Sequence, residues 1–134
     1  MYLVSQVAND KQDYRLIPEF NLYQMAHPGL KLEAPLREEY RGKIHGLFNP
    51  EDGFIYMPDH VDINDPNIQA ILAHERVHKD QYERGLFDKV DCIAELEPEA
   101  YKKEAEWRMN NTRGFSWDQY DHLVDFGKKI GVCR

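Results

Sequence analysis

The sequence predicts an α+β fold: a small antiparallel β-sheet packed on two long helices, with a further helix towards the C-terminal end. Three observations carry this. Two short apolar segments flank a turn cluster at 49–53, apolar residues recur at helical spacing over 65–83 and 92–109, and Ser116-Trp117-Asp118-Gln119 has the form of a capping box. At 134 residues one domain spanning 1–134 is expected, with its core in about 44–109.

Residues 1–35 carry the weakest pattern. Tyr14-Arg15-Leu16-Ile17 reads either as a short strand or as a helix turn, and Pro18, Pro28-Gly29 and Pro35 break the region up. Pro35 suits the first position of a short helix over about 35–42. Ile44–Phe48 reads as a strand, Asn49-Pro50-Glu51-Asp52-Gly53 as a turn, and Phe54–Met57 as the returning strand, which Pro58 ends.

Asp65-Pro66 opens a helix, because Asp caps free amides and Pro fits the first turn. Ile68, Ile71, Leu72 and Val77 give it an apolar stripe, and Gly85 is a suitable stop after Tyr82 or Glu83. A second helix spans roughly 92–109, with Ile93, Leu96, Ala100 and Trp107 on one face. Pro98 requires that it kink or begin later. The capping box opens a third helix to about Phe126, with Gly127 as its stop and a frayed or strand-like tail over 128–134. Trp107 and Trp117 are expected in the core.

The formal charge of −7 argues against nucleic acid as a partner, since phosphate binding needs clustered Lys and Arg. No apolar run reaches the length of a membrane span, and the first residues lack the basic start and apolar stretch of a secretory signal. The expected location is cytoplasmic, with no membrane partner. Cys92 and Cys133 lie far apart and outside any CxxC pattern, so they are expected as thiols in a reducing compartment rather than as a disulfide.

The chemistry centres on His74-Glu75-Arg76-Val77-His78. Four residues on a helix put both imidazoles on one face, one turn apart, where both can bind a single tetrahedral zinc ion. Glu75 then stands beside the ion, able to take a proton from the water that attacks the substrate. An HExxH string arises by chance in a chain of this composition roughly 2% of the time, and the apolar lead-in from Ile68 to Ala73 lowers that further. A catalytic zinc needs a third protein ligand. Glu97 and Glu99 each lie about 80° from the centre of the second helix's apolar stripe, and Glu95 lies farther round, so the helical wheel leaves Glu97 and Glu99 open. Most of this acidic run is a solvated face near a helix start.

Ala73–His78, followed by Glu97-Pro98-Glu99-Ala100-Tyr101, resembles the gluzincin group of zincin metallopeptidases, in particular its minimal bacterial and phage members. The resemblance covers about 44–107. It implies that Glu97 is the third ligand and that the edge strand of a preceding hairpin, here Phe54–Met57, lies along the cleft, where a polypeptide substrate adds by backbone hydrogen bonds. For a phage-encoded member it implies the host cytoplasm. Two departures stand out: Pro98 follows the proposed ligand, and Tyr101 occupies a slot where many members carry an Asp or Asn that orients a ligating histidine.

Tyr101, Tyr120 and His122 are candidate donors to a tetrahedral oxyanion, although packing at the rim of the core is the simpler account of each. Gln81 follows His78 by one turn on the same face. His27, His45 and His60 have no ligand spacing with the motif. The expected function is zinc-dependent hydrolysis of a peptide bond with narrow protein specificity, because so short a chain builds few cleft walls. Two alternatives stand beside it: a non-catalytic zinc-binding interaction protein, and a zinc hydrolase of a non-protein substrate such as a cell-wall crosslink.

Overall fold

The computed structural model describes residues 12–27 and 45–133, so the short helix expected over 35–42 lies outside the described residues. The fold is α+β. The chain divides into two compact units, Met1–His60 and Val61–Arg134.

The first unit holds β1 (Tyr14–Ile17), α1 (Glu19–Ala26), β2 (Leu47–Asn49) and β3 (Phe54–Pro58). The expected hairpin is present. Phe48 pairs with Ile55 and Asn49 with Phe54 in antiparallel register. Its turn is held by side chains: Asn49 Oδ1 accepts from the Glu51 amide at 3.0 Å, and Asp52 Oδ1 from the Phe54 amide at 3.0 Å. Gly53 takes a φ of 78°, which favours glycine. Alternation along β3 buries Ile55 and Met57 completely, and α1 packs on this strand with Leu22 buried.

Two expectations are corrected here. The sheet is mixed, not antiparallel, because β1 lies parallel to β3, with Tyr14 opposite Ile55 and Ile17 opposite Pro58. The sheet order is β1-β3-β2, so Phe54–Met57 is the central strand and not an edge. Both of its sides are paired within the sheet, which leaves no ladder for an added peptide strand. Hairpin signals are local, whereas the β1–β3 pair joins segments some forty residues apart; the sequence pattern marks only the former.

The second unit holds α2 (Pro66–Glu83), α3 (Glu97–Asn111) and α4 (Trp117–Ile130), with short 3₁₀ turns at Leu86–Asp88 and Ile93–Leu96. α2 begins and ends as expected: Asp65 Oδ1 caps the Asn67 amide at 2.8 Å, and Gly85 takes a φ of 76° just past the end. α3 starts five residues later than Cys92. Proline tolerates only the first helical turn, so Pro98 fixes Glu97 as the first residue of α3. The capping box opens α4, with Ser116 Oγ accepting from the Gln119 amide at 3.1 Å and Gln119 Oε1 from the Ser116 amide at 2.8 Å.

α4 then runs past its expected stop. Gly127 is buried inside the helix, and a Cβ there would lie 2.7 Å from Tyr101 Cβ; one at Gly131 would lie 2.6 Å from Pro98 Cγ. Gly127 thus serves close approach of α4 to α3 rather than termination, and Gly131, the C-cap, approaches α3 at the true end of α4. Cys92 and Cys133 form a disulfide with their Cα atoms 5.7 Å apart, against the expectation of two thiols, and the argument from thiols for a reducing compartment falls away. The pairing follows from α4 returning its end to the start of the α3 segment, which spacing does not reveal. Trp117, expected in the core, is 69% exposed. Among the described residues no helix is long and apolar enough to cross a membrane.

Candidate metal centre

Three ligand atoms converge between α2 and α3. His74 and His78, one turn apart on α2, place their Nε2 atoms 3.2 Å and 2.6 Å from a single oxygen, Oε1 of Glu97. The three side chains each offer one ligand atom within 4.8 Å of the others. Glu97 reaches the histidines because Pro98 starts α3 at that residue, after the preceding 3₁₀ turn.

The far sides of both rings are engaged. His74 Nδ1 lies 3.0 Å from Oε1 of Glu104, a carboxylate that can only accept, so Nδ1 carries the proton. Glu104 Oε2 accepts in turn from Arg108 Nε at 2.9 Å, and Arg108 Nη1 donates to Asn67 Oδ1 at the start of α2. On the other ring, His78 Nδ1 lies 2.9 Å from Gln81 Oε1. The Gln81 amide nitrogen donates to Leu96 O at 2.9 Å and to Glu99 Oε1 at 2.8 Å, which leaves its oxygen as the acceptor. Both imidazoles therefore turn Nε2 towards Glu97, where it can serve as the ligand atom once its proton is displaced. The site is secluded: His74 and Glu104 are each 6% exposed and Gln81 is fully buried.

The electrostatics favour positive charge at this point. Burial opposes protonation of His74, but its hydrogen bonds to Glu104 and Glu97 and the charge of Glu75 outweigh that and raise its pKa to about 10. His78 is raised as well: burial works against it, and the Glu97 hydrogen bond and the charge of Glu75 overcome it. Burial would raise Glu97, yet the two histidines hold it down at about 2. Glu75, itself buried, thus acts on both histidines.

The donors fit a divalent ion that prefers nitrogen and oxygen ligands. Ligand atoms on a tetrahedral zinc with bonds of about 2.0–2.1 Å stand roughly 3.3–3.4 Å apart. The 3.2 Å contact already has that spacing, and the 2.6 Å contact reaches it if the Glu97 carboxylate withdraws by less than about 1 Å.

Of the two carboxylates left open by the helical wheel, Glu97 joins the histidines. Glu99 is bound instead by Gln81 and by Arg84 Nη2 at 3.0 Å. Tyr101 presents its ring edge-on to His74, with centroids 4.4 Å apart. Tyr120 packs against Trp117. His122 lines a cavity of about 390 Å³ with Phe115, Leu123, Glu104 and Arg108. Neither Tyr120 nor His122 belongs to the His74–His78–Glu97 cluster. His27 stacks on Tyr23, and His60 lies 3.6 Å from Glu19, both in the first unit. Sequence reasoning missed Glu104 and Arg108. The signal was available: Glu104 is seven residues from Glu97, hence on the same helix face, and Arg108 follows one turn on.

The model of a family described as a domain of unknown function, DUF6647, matches residues 6–120. The chain belongs to the DUF6647 family. All residues of the His74–His78–Glu97 cluster and of its Gln81, Glu104 and Arg108 supports fall within the matched span. No curated protein and no solved structure matches the chain.

Proposed function

We propose that this DUF6647 chain is a zinc-dependent metallopeptidase of the gluzincin type that hydrolyses a peptide bond in a narrow set of proteins. The observation that supports it is the convergence of two imidazole Nε2 atoms and one carboxylate oxygen while both Nδ1 atoms are committed elsewhere. Two imidazoles and one carboxylate leave a fourth position open on a tetrahedral ion, as catalytic zinc sites require. When bound, zinc polarises a carbonyl and makes water nucleophilic near neutral pH.

The chain's own residues supply the rest. His74, His78 and Glu97 hold the ion. Glu75 takes the proton from the attacking water and delivers it to the leaving amine. A site that only held zinc for structure would need the ligands and no such base, so Glu75 favours hydrolysis over a non-catalytic zinc protein. Of the three candidate oxyanion donors, Tyr101 is the one whose ring packs on a ligand histidine, and burial and the charges of Glu97, Glu104 and Glu75 push its hydroxyl up to about 12, so it keeps its proton at neutral pH.

The test is a screen of peptide, glycan and ester substrates with zinc-loaded wild type and Glu75→Gln. Peptide cleavage by the wild type, abolished in Glu75→Gln with zinc retained, is expected. Preference for a glycan or ester, or undiminished cleavage by the variant, would overturn the proposal. Free cutting of casein and generic peptides would overturn its narrow specificity.

A further inference from the structure

We infer that Glu104 is the residue that positions His74 for the metal, in place of a side chain at position 101, and that it acts as the centre of a brace running Asn67–Arg108–Glu104–His74. This rests on the metal-site reading above. Residues 97 and 104 are seven apart on α3, two turns and about 20° from perfect alignment, so one helix face carries both carboxylates. They grip the same imidazole from opposite sides: Glu97 Oε1 at Nε2, 3.2 Å, and Glu104 Oε1 at Nδ1, 3.0 Å.

Tyr101 lies between them on that face but does something else. Its ring packs edge-on against His74 and again against Phe126, and its Cβ abuts Gly127. His74 Nδ1 is already engaged by Glu104. The Glu104 carboxylate is itself held: it is 6% exposed, and Arg108, one turn along α3, takes its second oxygen at 2.9 Å. Arg108 then reaches across to Asn67 in the first turn of α2, the helix that carries His74. The brace therefore starts and ends on α2 and passes through α3. It sets the ring's rotation and keeps the proton on Nδ1, so that Nε2 is the ligand atom. A charged acceptor does this more firmly than a tyrosine hydroxyl, which also donates.

The role is one of positioning, so the test needs a readout that a general loss of stability would not move. Zinc affinity is measured by chelator competition for wild type, Glu104→Gln and Tyr101→Phe. In parallel, ¹⁵N-labelled zinc-loaded protein is examined by NMR for the His74 imidazole. The wild type is expected to show an Nε2-coordinated ring with a slowly exchanging Nδ1 proton. Glu104→Gln should bind zinc about 10–100-fold more weakly, with that proton exchanging fast; Tyr101→Phe should lose less than about threefold and keep it.

Equal affinity in wild type and Glu104→Gln would overturn the inference, as would an equal loss in Tyr101→Phe. If Glu104→Gln does not fold, the wild-type spectrum decides alone: no protected Nδ1 proton, or coordination through Nδ1, overturns it. A wild type that binds no zinc overturns the metal-site reading and this inference together. A wild type that binds zinc without needing Glu104 overturns only the latter.

Discussion

Removing the Cys92–Cys133 disulfide should destabilise the helical unit by an amount that its loop length sets. The bridge closes a loop over a sequence separation of 41, spanning all of α3 and α4. On the chain-entropy account, a loop of that length removes roughly 13 cal/mol/K from the unfolded ensemble, or about 4 kcal/mol at 25 °C. With a urea dependence of about 2 kcal/mol/M, typical of a small protein, the midpoint should fall by about 2 M in a Cys92→Ser/Cys133→Ser variant. Helical circular dichroism followed through urea titrations of both proteins gives the comparison. The bridge also sits five residues before Glu97, so the variant should bind zinc more weakly than wild type. A midpoint shift below about 0.5 M, or two titratable thiols in native protein purified without reductant, would refute the reasoning.

Gly127→Ala sets two effects against each other. Helix propensity favours alanine by about 1 kcal/mol, but the new methyl would lie 2.7 Å from Tyr101 Cβ, and forced repacking costs about 1–3 kcal/mol or more. The melting temperature should therefore fall, and a rise would contradict the close approach of α4 to Tyr101. The metal-free ion pair has its own pH signature. His74, raised from 6.5 to about 10, stabilises fully below 6.5, a contribution lost as pH rises through about 10; Glu97, lowered from 4.5 to about 2, stabilises above 4.5 and loses this as pH falls through about 2. Zinc must displace the histidine protons, so the melting-temperature gain on adding zinc should grow from about pH 6 to about pH 8. A gain that does not change over that range would contradict the protonated state of the metal-free site.

The parts legible in the sequence were those whose cause is local. Asp65-Pro66 and Gly85 delimit α2 because capping and a left-handed stop are decided within a few residues. HExxH places two imidazoles on one face through helix geometry alone. Pro98, a departure from the resembling pattern, is also local in effect: it delays α3 and so puts Glu97 at its start. What escaped depends on segments meeting. Gly127 looks like a helix stop by sequence and is a contact point between helices in space. Phe54–Met57 reads as half of a hairpin, and only the distant β1 makes it central. Glu104 was hidden among acidic residues of which most face solvent; its distinction is the His74 ring opposite, on another helix.

Zinc content tests the central claim most directly. Native mass spectrometry of the purified wild type, beside His78→Ala, should find about one zinc per chain in the former and none in the latter, because the variant keeps only two of the three donors. A wild type that holds no zinc even after reconstitution would contradict the account and leave the His74–His78–Glu97 convergence as a buried ion pair.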